Sequence, residues 1–197
     1  MKSKLLALAI GILAASQMTF AQEAAPGIVK AKAAELTAHR VDRLVSLNKI
    51  DSSFLTKAAK MEVTVVQNQA PAYYKVRVSQ TQPASGEALQ MDVVYDGNGK
   101  PLSYTVLPGG SAGPDEGWTG VDAITLMENG LHYVLENGEK DANVRPFYTA
   151  LTTITLTKGQ LNGKTIARTQ MKSSENALTL NVYVNLDGSF VSSEIIK

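Results

Sequence analysis

The 197-residue chain contains no cysteine. This absence excludes disulfide bonds, thiolate metal sites, cysteine nucleophiles and a lipid anchor on an N-terminal cysteine. Only two histidines are present, and the 19 basic residues nearly balance the 18 acidic ones. The charge balance therefore gives no electrostatic reason to expect binding to nucleic acid or to an anionic membrane.

The N-terminus has the pattern of an export signal. Lys2 and Lys4 precede an apolar run from Leu5 to Ala15, and Thr19-Phe20-Ala21 offers a small-residue cleavage site. We predict that residues 1–21 are a signal peptide and that the protein is exported, either to the periplasm or out of the cell. No later apolar run approaches the roughly 18 residues of a membrane span, so we expect no span after the signal is removed.

A hairpin pattern occurs twice in the sequence. Residues 88–106 alternate between apolar and polar side chains on either side of Asn98-Gly99, and residues 177–195 do the same around Asp187-Gly188, a constant 89 positions later. Each dipeptide is typical of a tight turn between antiparallel strands. The recurrence predicts a duplicated structural unit.

Helical and strand patterns follow in the same order around each hairpin. The apolar periodicity predicts helices at residues 28–47 and 121–137, and a short helix at 54–60. Pro146 argues against a long second helix in the second half, so the segments before the first strand of each half are expected to differ. The predicted strands lie at residues 61–67, 74–80, 89–96, 101–107, 151–158, 164–171, 178–185 and 190–196.

These elements predict an α+β fold of two tandem repeats, at residues 22–107 and 118–197. Each repeat is expected to have one or two helices packed on a four-stranded antiparallel meander sheet. Residues 108–117 are rich in glycine and proline and are interpreted as a linker.

Alternation within the strands predicts which side chains face the helices. With two-residue turns, the apolar cross-strand pairs are Tyr95 with Leu102, Val93 with Tyr104, Met91 with Val106, Val184 with Val191, and Leu180 with Ile195. This register assigns Tyr104 to the core. Threonines such as Thr165 and Thr169 are expected on the opposite, polar face.

No arrangement of residues predicts catalysis. His39 and His132 lie in separate predicted helices and are interpreted as solvated or boundary residues rather than as bases or metal ligands. Asp92 and Asp96 resemble a carboxylate pair, but Asn181 replaces Asp92 in the second repeat and cannot act as an acid. We therefore expect a protein that is not an enzyme and has no cofactor or metal site.

The polar face of the predicted sheets is either an ordinary solvated surface or a protein-binding surface. Tyrosine and arginine among small polar residues suit recognition of a protein partner. The candidate contact residues are Tyr73, Lys75, Arg77, Asp92, Thr155, Asn181 and Tyr183.

The order of a signal peptide, a helix and a meander ending in residues 94–102 and 182–191 resembles the PepSY-like group. This group includes proteins similar to the β-lactamase inhibitor protein, and the resemblance covers residues 28–197. It implies tandem helix-plus-sheet units, no catalysis, and binding or inhibition of an exported enzyme. That inhibitor contains disulfides and this chain has no cysteine, so no inhibitory residues are transferred.

We therefore expect an exported, non-catalytic binding protein that inhibits or modulates an envelope or secreted hydrolase. The alternative is a small-ligand carrier or sensor with its site between the two repeats.

Overall fold

A computed structural model describes residues 27–67, 72–83, 86–113, 118 and 120–197. These residues form four helices and eight strands. The helices are α1 (Lys30–Ser46), α2 (Ser53–Lys57), α3 (Ala123–Asn137) and α4 (Arg145–Thr149). The strands are β1 (Ala58–Gln67), β2 (Tyr73–Gln80), β3 (Leu89–Tyr95), β4 (Pro101–Pro108), β5 (Leu151–Leu161), β6 (Lys164–Ser173), β7 (Thr179–Val184) and β8 (Phe190–Ile196). The predicted signal peptide lies outside the described residues.

All eight strands belong to one antiparallel sheet, in the order β4-β3-β2-β1-β5-β6-β7-β8. The predicted α+β class and the antiparallel strands are confirmed, but the strands do not form two separate sheets. β1 and β5 pair through Lys60 with Thr155, Met61 with Ile154, and Glu62 with Thr153. This pairing gives partners to the backbone groups on the edge of β1 that faces away from β2.

The core lies between one face of the sheet and the layer of helices. Alternate strand residues, among them Met61, Val76, Ile154 and Val182, join a single buried cluster with the inner sides of α1 and α3. This buried cluster includes residues from both halves of the chain. The polar residues between these positions therefore point away from the helices.

The short helices α2 and α4 each contribute one fully buried aromatic ring, Phe54 and Phe147. Both helices contain five residues, so the expectation that these two segments differ is wrong. Pro146 stands in the first turn of α4, where its missing N–H would have had no partner within the helix.

The helix α3 begins at a side-chain cap. Asp122 is the N-cap residue, and its carboxylate accepts a hydrogen bond from the Thr125 N–H at 3.0 Å. This satisfies one of the N–H groups that have no partner at the start of a helix.

The two outer hairpins have four-residue turns with the same hydrogen bonds. Asp96 N–H donates to the Lys100 carbonyl and Gly99 N–H donates to the Asp96 carbonyl, both at 3.0 Å. Asn185, Gly188 and Ser189 repeat this arrangement at 2.9 Å. Gly99 and Gly188 have φ values of 83° and 87°, a left-handed conformation that glycine adopts without strain.

These turns change the register next to them. The predicted pairs Val93 with Tyr104, Met91 with Val106, and Leu180 with Ile195 are confirmed. Tyr95 instead opposes Pro101 rather than Leu102, and Val184 opposes Phe190 rather than Val191. The shift arises because Leu102 and Val191 are extra residues opposite the ends of β3 and β7, and the predicted regular ladder does not contain these bulges.

Thr169 does not lie on the polar face, as the sequence predicts, but is fully buried. It pairs with Leu156 across the sheet, and its hydroxyl lies 3.4 Å from the Leu126 carbonyl of α3. A Cβ atom at Gly130 would lie 2.5 Å from Thr169 Cβ. The glycine therefore allows α3 to approach the sheet closely at this threonine.

The helices leave the helix-facing side of β4 partly uncovered. Leu102, Tyr104 and Val106 are 50%, 37% and 38% exposed, so the assignment of Tyr104 to the core is wrong. α1 lies over β1, β2 and β5, and it reaches the edge strand through Arg40, whose guanidinium lies 5.9 Å from the centre of the Tyr104 ring.

Replacement of Gly130 by alanine is expected to destabilise the fold by about 1–3 kcal/mol, because the new Cβ overlaps the buried Thr169 side chain. At an exposed helix position, replacement of glycine by alanine stabilises a helix by about 1 kcal/mol. The sign of the change in unfolding free energy therefore shows whether Gly130 is packed closely against the sheet. Urea unfolding measures it, with Glu136→Ala on the exposed side of the same helix as the control. A stabilised Gly130→Ala variant would contradict the close approach of α3.

Candidate protein-binding surface

The polar side of the sheet, opposite the four described helices, is a candidate binding surface and is called the open face below. Because β1 pairs with β5, it continues across all eight strands, a width of about 34 Å at the usual strand spacing. Its side chains include Lys60, Glu62, Thr64, Tyr73, Lys75, Arg77, Gln90, Asp92, Ser103, Thr105, Thr153, Thr155, Thr157, Arg168, Gln170, Lys172, Thr179, Asn181, Tyr183, Ser192 and Glu194.

One group of charges on the open face, the Arg77 cluster, comprises Lys60, Glu62, Lys75, Arg77 and Asp92. Arg77 donates two hydrogen bonds to the Asp92 carboxylate, from Nε at 2.6 Å and from Nη2 at 2.8 Å. Lys75 Nζ lies 3.8 Å from the same carboxylate, and Lys60 Nζ lies 2.8 Å from Glu62 Oε1. The two-pronged contact fixes the guanidinium plane over the sheet.

The Arg77 contact favours the charged forms of both partners. Hydrogen bonding to Arg77 is the largest cause that lowers the pKa of Asp92, while partial burial opposes it and Lys75 assists. The same hydrogen bond raises the pKa of Arg77. Both groups therefore remain ionised at neutral pH.

A second group, the Glu194 cluster, comprises Gln170, Asn181, Tyr183 and Glu194 in the other half of the sheet. Asn181 accepts from Gln170 Nε2 at 3.3 Å and donates to Glu194 Oε1 at 3.1 Å. Tyr183 donates to the same Glu194 oxygen at 2.5 Å. The hydrogen bond from Tyr183 lowers the pKa of Glu194, and Glu194 in turn raises the pKa of the Tyr183 phenol.

A threonine strip on β5 separates the two clusters. Thr153, Thr155 and Thr157 are half-exposed, and Thr155 lies opposite Lys60 on one side and Gln170 on the other. Short side chains with one methyl and one hydroxyl group can be covered by a partner at a low cost in conformational entropy. The threonine side chains themselves are therefore uncharged and short.

The structure brings together some of the residues predicted from the sequence. Lys75, Arg77 and Asp92 are in contact, and Asn181 and Tyr183 share Glu194. Thr155 lies between these groups, and Tyr73 stands at the end of β2 opposite Gln67. Asn181 is only 2% exposed, because the longer side chains around it cover it. It positions Glu194 and does not itself reach the surface.

Other residues of the open face were missed as candidates. The short helix predicted at residues 54–60 includes Lys60, but the alternation of Lys60 with Met61 and Glu62 continues the strand pattern, and Lys60 lies in β1. Arg168 and Gln170 are not among the predicted contact residues, because the prediction for β6 rests on its threonines. Arg168 Nε donates to Thr157 Oγ1 at 3.0 Å, so it belongs with the threonine strip.

Both histidines have a carboxylate partner on the helical layer, which the sequence analysis did not predict. His39 Nε2 lies 3.3 Å from Glu128 Oε1, and His132 Nε2 lies 3.0 Å from Glu136 Oε1. Burial is the main cause that raises the pKa of Glu128. Within residues 27–197, apart from the undescribed positions, no group of three or more histidine, aspartate or glutamate side chains is arranged to hold a metal ion.

None of the helices in the described part of the chain has both the length and the apolar character that crossing a membrane requires. The sequence matches no family model, and neither a curated protein nor a solved structure is significantly similar to it.

Replacement of Arg77 by glutamine is expected to raise the pKa of Asp92, because the partial burial that opposes ionisation stays while the hydrogen-bonded cation is lost. Titration of the Asp92 carboxyl carbon by NMR measures the change. Glu194 is the internal control, since it lies in the other cluster. An unchanged pKa of Asp92 would contradict the ion pair.

The same contact predicts a pH dependence of stability. The pKa of Asp92 is lower in the folded protein than in the unfolded chain, so the contact stabilises the fold above the unfolded-state value of about 3.9. This stabilisation is lost as the pH falls through the lowered folded-state pKa. The Arg77→Gln variant is therefore expected to lose its stability deficit relative to the wild type in acid, as measured by urea unfolding at several pH values.

Proposed function

We propose that the chain is an exported, non-catalytic binding protein that inhibits or modulates an envelope or secreted hydrolase through the open face. The observation that supports this proposal most is the continuity of the open face across eight strands. Strands of about eight residues at 3.3 Å per residue give the face an area of roughly 900 Å². A stable protein interface covers about 800 Å² per partner.

The internal pairing of charges also supports the proposal. A partner that covers an unpaired charge must remove its water, at a cost that its new contacts have to offset. On the open face, Asp92 is held by Arg77, and Glu194 is held by Tyr183 and Asn181. These groups keep their partners when water is displaced, which lowers the cost of covering them.

We propose in addition that residues 22–107 and 118–197 are two tandem repeats, each a four-stranded meander with its helices. Buried positions recur 93 apart, as in Val41 and Val134 on the long helices, and Phe54 and Phe147 on the short ones. The hairpin turns recur 89 positions apart. The spacing between equivalent residues therefore changes from 93 to 89 between β2 and β3, where the connection in the first half is longer. Residues Met61 and Ile154, themselves 93 apart, oppose each other directly.

The central test replaces Thr155 by arginine, which places a long charged side chain at the middle of the open face. The tagged wild-type protein is expected to capture one stoichiometric hydrolase from periplasmic or extracellular extract and to reduce its activity. The Thr155→Arg variant is expected to bind the purified hydrolase at least about tenfold more weakly, a loss of about 1.4 kcal/mol. Isothermal titration calorimetry measures both affinities.

The matched control for this test is Asp42→Arg, at an exposed position of α1 on the other side of the protein. Its affinity for the hydrolase should equal that of the wild type. Equal loss of affinity in both variants, or an unchanged affinity of the Thr155→Arg variant, would contradict a hydrolase-binding site on the open face.

A groove between the helices favours the small-ligand carrier or sensor as the second candidate. It lies beside the start of α1 and the end of α3, has a volume of about 510 Å³, and is lined in part by Ile28, Val29, Leu135 and Tyr148. Ligand sites in proteins commonly have volumes of about 300–1,000 Å³.

For this candidate, native mass spectrometry of protein purified from its natural source would detect a bound small molecule. Replacement of Leu135 by tryptophan fills part of the groove and is expected to remove that molecule. Detection of only ligand-free protein from the natural source would argue against the carrier.

A further inference from the structure

The two edge strands of the sheet, β4 and β8, differ in their protection against pairing. Within the described part of the chain, no strand pairs with the outer side of either one, and such an edge can act as a template for another strand. β8 carries Glu194 next to its central residue, whereas the position 89 residues earlier is Thr105, and β4 contains no charged residue. A charge on an edge strand is a common barrier to edge-to-edge association, and β4 lacks this barrier.

The outer backbone groups of β4 belong to the residues whose side chains are exposed on the helix-facing side. Gly109 N–H donates to the Ala88 carbonyl, and antiparallel ladders alternate between inward and outward positions. The register of β3 and β4 therefore directs the N–H and carbonyl groups of Tyr104 and Val106 away from the sheet. Leu102 is the extra residue at the bulge, and its carbonyl points outward because the N–H of Ser103 in the same peptide unit points inward. Pro108 lacks the N–H that would continue this series.

We propose that β4 pairs antiparallel with β4 of a second molecule of this protein, about a two-fold axis at Tyr104. The two sheets then form one continuous sheet of twice the eight strands. This inference is independent of the proposed binding of a hydrolase to the open face.

The sequence of β4 is self-complementary in this register. Tyr104 meets its own equivalent, and Leu102 meets Val106 of the second molecule, so apolar side chains adjoin on the helix-facing side. Ser103 meets Thr105 on the open face, so polar side chains adjoin there. Because the outward groups of Tyr104 lie opposite one another and each Val106 N–H lies opposite a Leu102 carbonyl, the junction has about four backbone hydrogen bonds.

A second molecule fits this edge better than a charged peptide segment does. β4 offers no ion pair to select or orient another chain. Its sequence does match itself in the two-fold antiparallel register, and every molecule of the protein carries the same edge strand. The ribbon is short and its interface lies at the small end of protein interfaces, so dissociation in the micromolar range is expected.

A single-cysteine variant tests the register. The natural chain has no cysteine, so Tyr104→Cys has one thiol, which the two-fold axis places opposite its equivalent at a Cα separation of about 5.5 Å. This distance suits a disulfide. The variant is expected to form a reducible covalent dimer under mild oxidation. Ser193→Cys, at the corresponding position of β8, is the matched control and should remain mostly monomeric.

A second pair of variants tests association without any cross-link. Sedimentation velocity of the wild-type protein between about 1 and 300 µM, the range in which a micromolar dimer dissociates, is expected to show a monomer-to-dimer transition. Val106→Lys adds a charge on β4 and should weaken the dimer at least about tenfold. Ile195→Lys, 89 positions later and 36% exposed, should leave it unchanged. Circular dichroism confirms that each variant is folded.

A wild-type protein that stays monomeric throughout this range would overturn the proposal. Equal weakening by the two lysine variants, or equal cross-linking of the two cysteine variants, would also overturn it. If the β4 amides gain protection from hydrogen exchange only when another protein is added, the edge binds a foreign strand and the proposal is wrong.

Discussion

The antiparallel pairing of β1 with β5 is the contact on which the rest of the architecture depends. It involves only Lys60, Met61 and Glu62 with their partners on β5, yet it joins eight strands into one sheet. The fully buried side chains of Met61 and Ile154 lie at its centre. Because the pairing places the two groups of helices side by side over the sheet, α1 contacts α3 and one buried cluster includes residues from both halves.

The same pairing gives the two faces of the sheet different properties. One face supplies the buried apolar cluster, and the other combines two clusters of paired polar groups with a neutral threonine strip. The strands hold these groups in fixed positions, since all of them except Glu194 lie on strands that are paired on both sides. Such a face favours recognition of a partner by shape and by fixed hydrogen-bonding groups.

Local patterns in the sequence predicted local structure well. The alternation around Asn98-Gly99 correctly paired Val93 with Tyr104, because side-chain burial alone selects that register. The bulge at Leu102 was missed, since turns of different length fit the same alternation. The burial of Thr169 was also missed, because it depends on Gly130 in a distant helix. For the same reason, no local pattern indicated that Asn181 would be covered or that β1 would pair with β5.

The distance along the chain between the central strands has a consequence for folding. Met61 and Ile154 are 93 positions apart, whereas the other neighbouring strands are joined by short connections. Closing so long a loop costs conformational entropy before any contact is gained, so the middle of the sheet is expected to form late. During synthesis, β1 has no partner on its free edge until residues 153–155 emerge from the ribosome. The incomplete chain is therefore most exposed to aggregation at the strand that lies deepest in the finished protein.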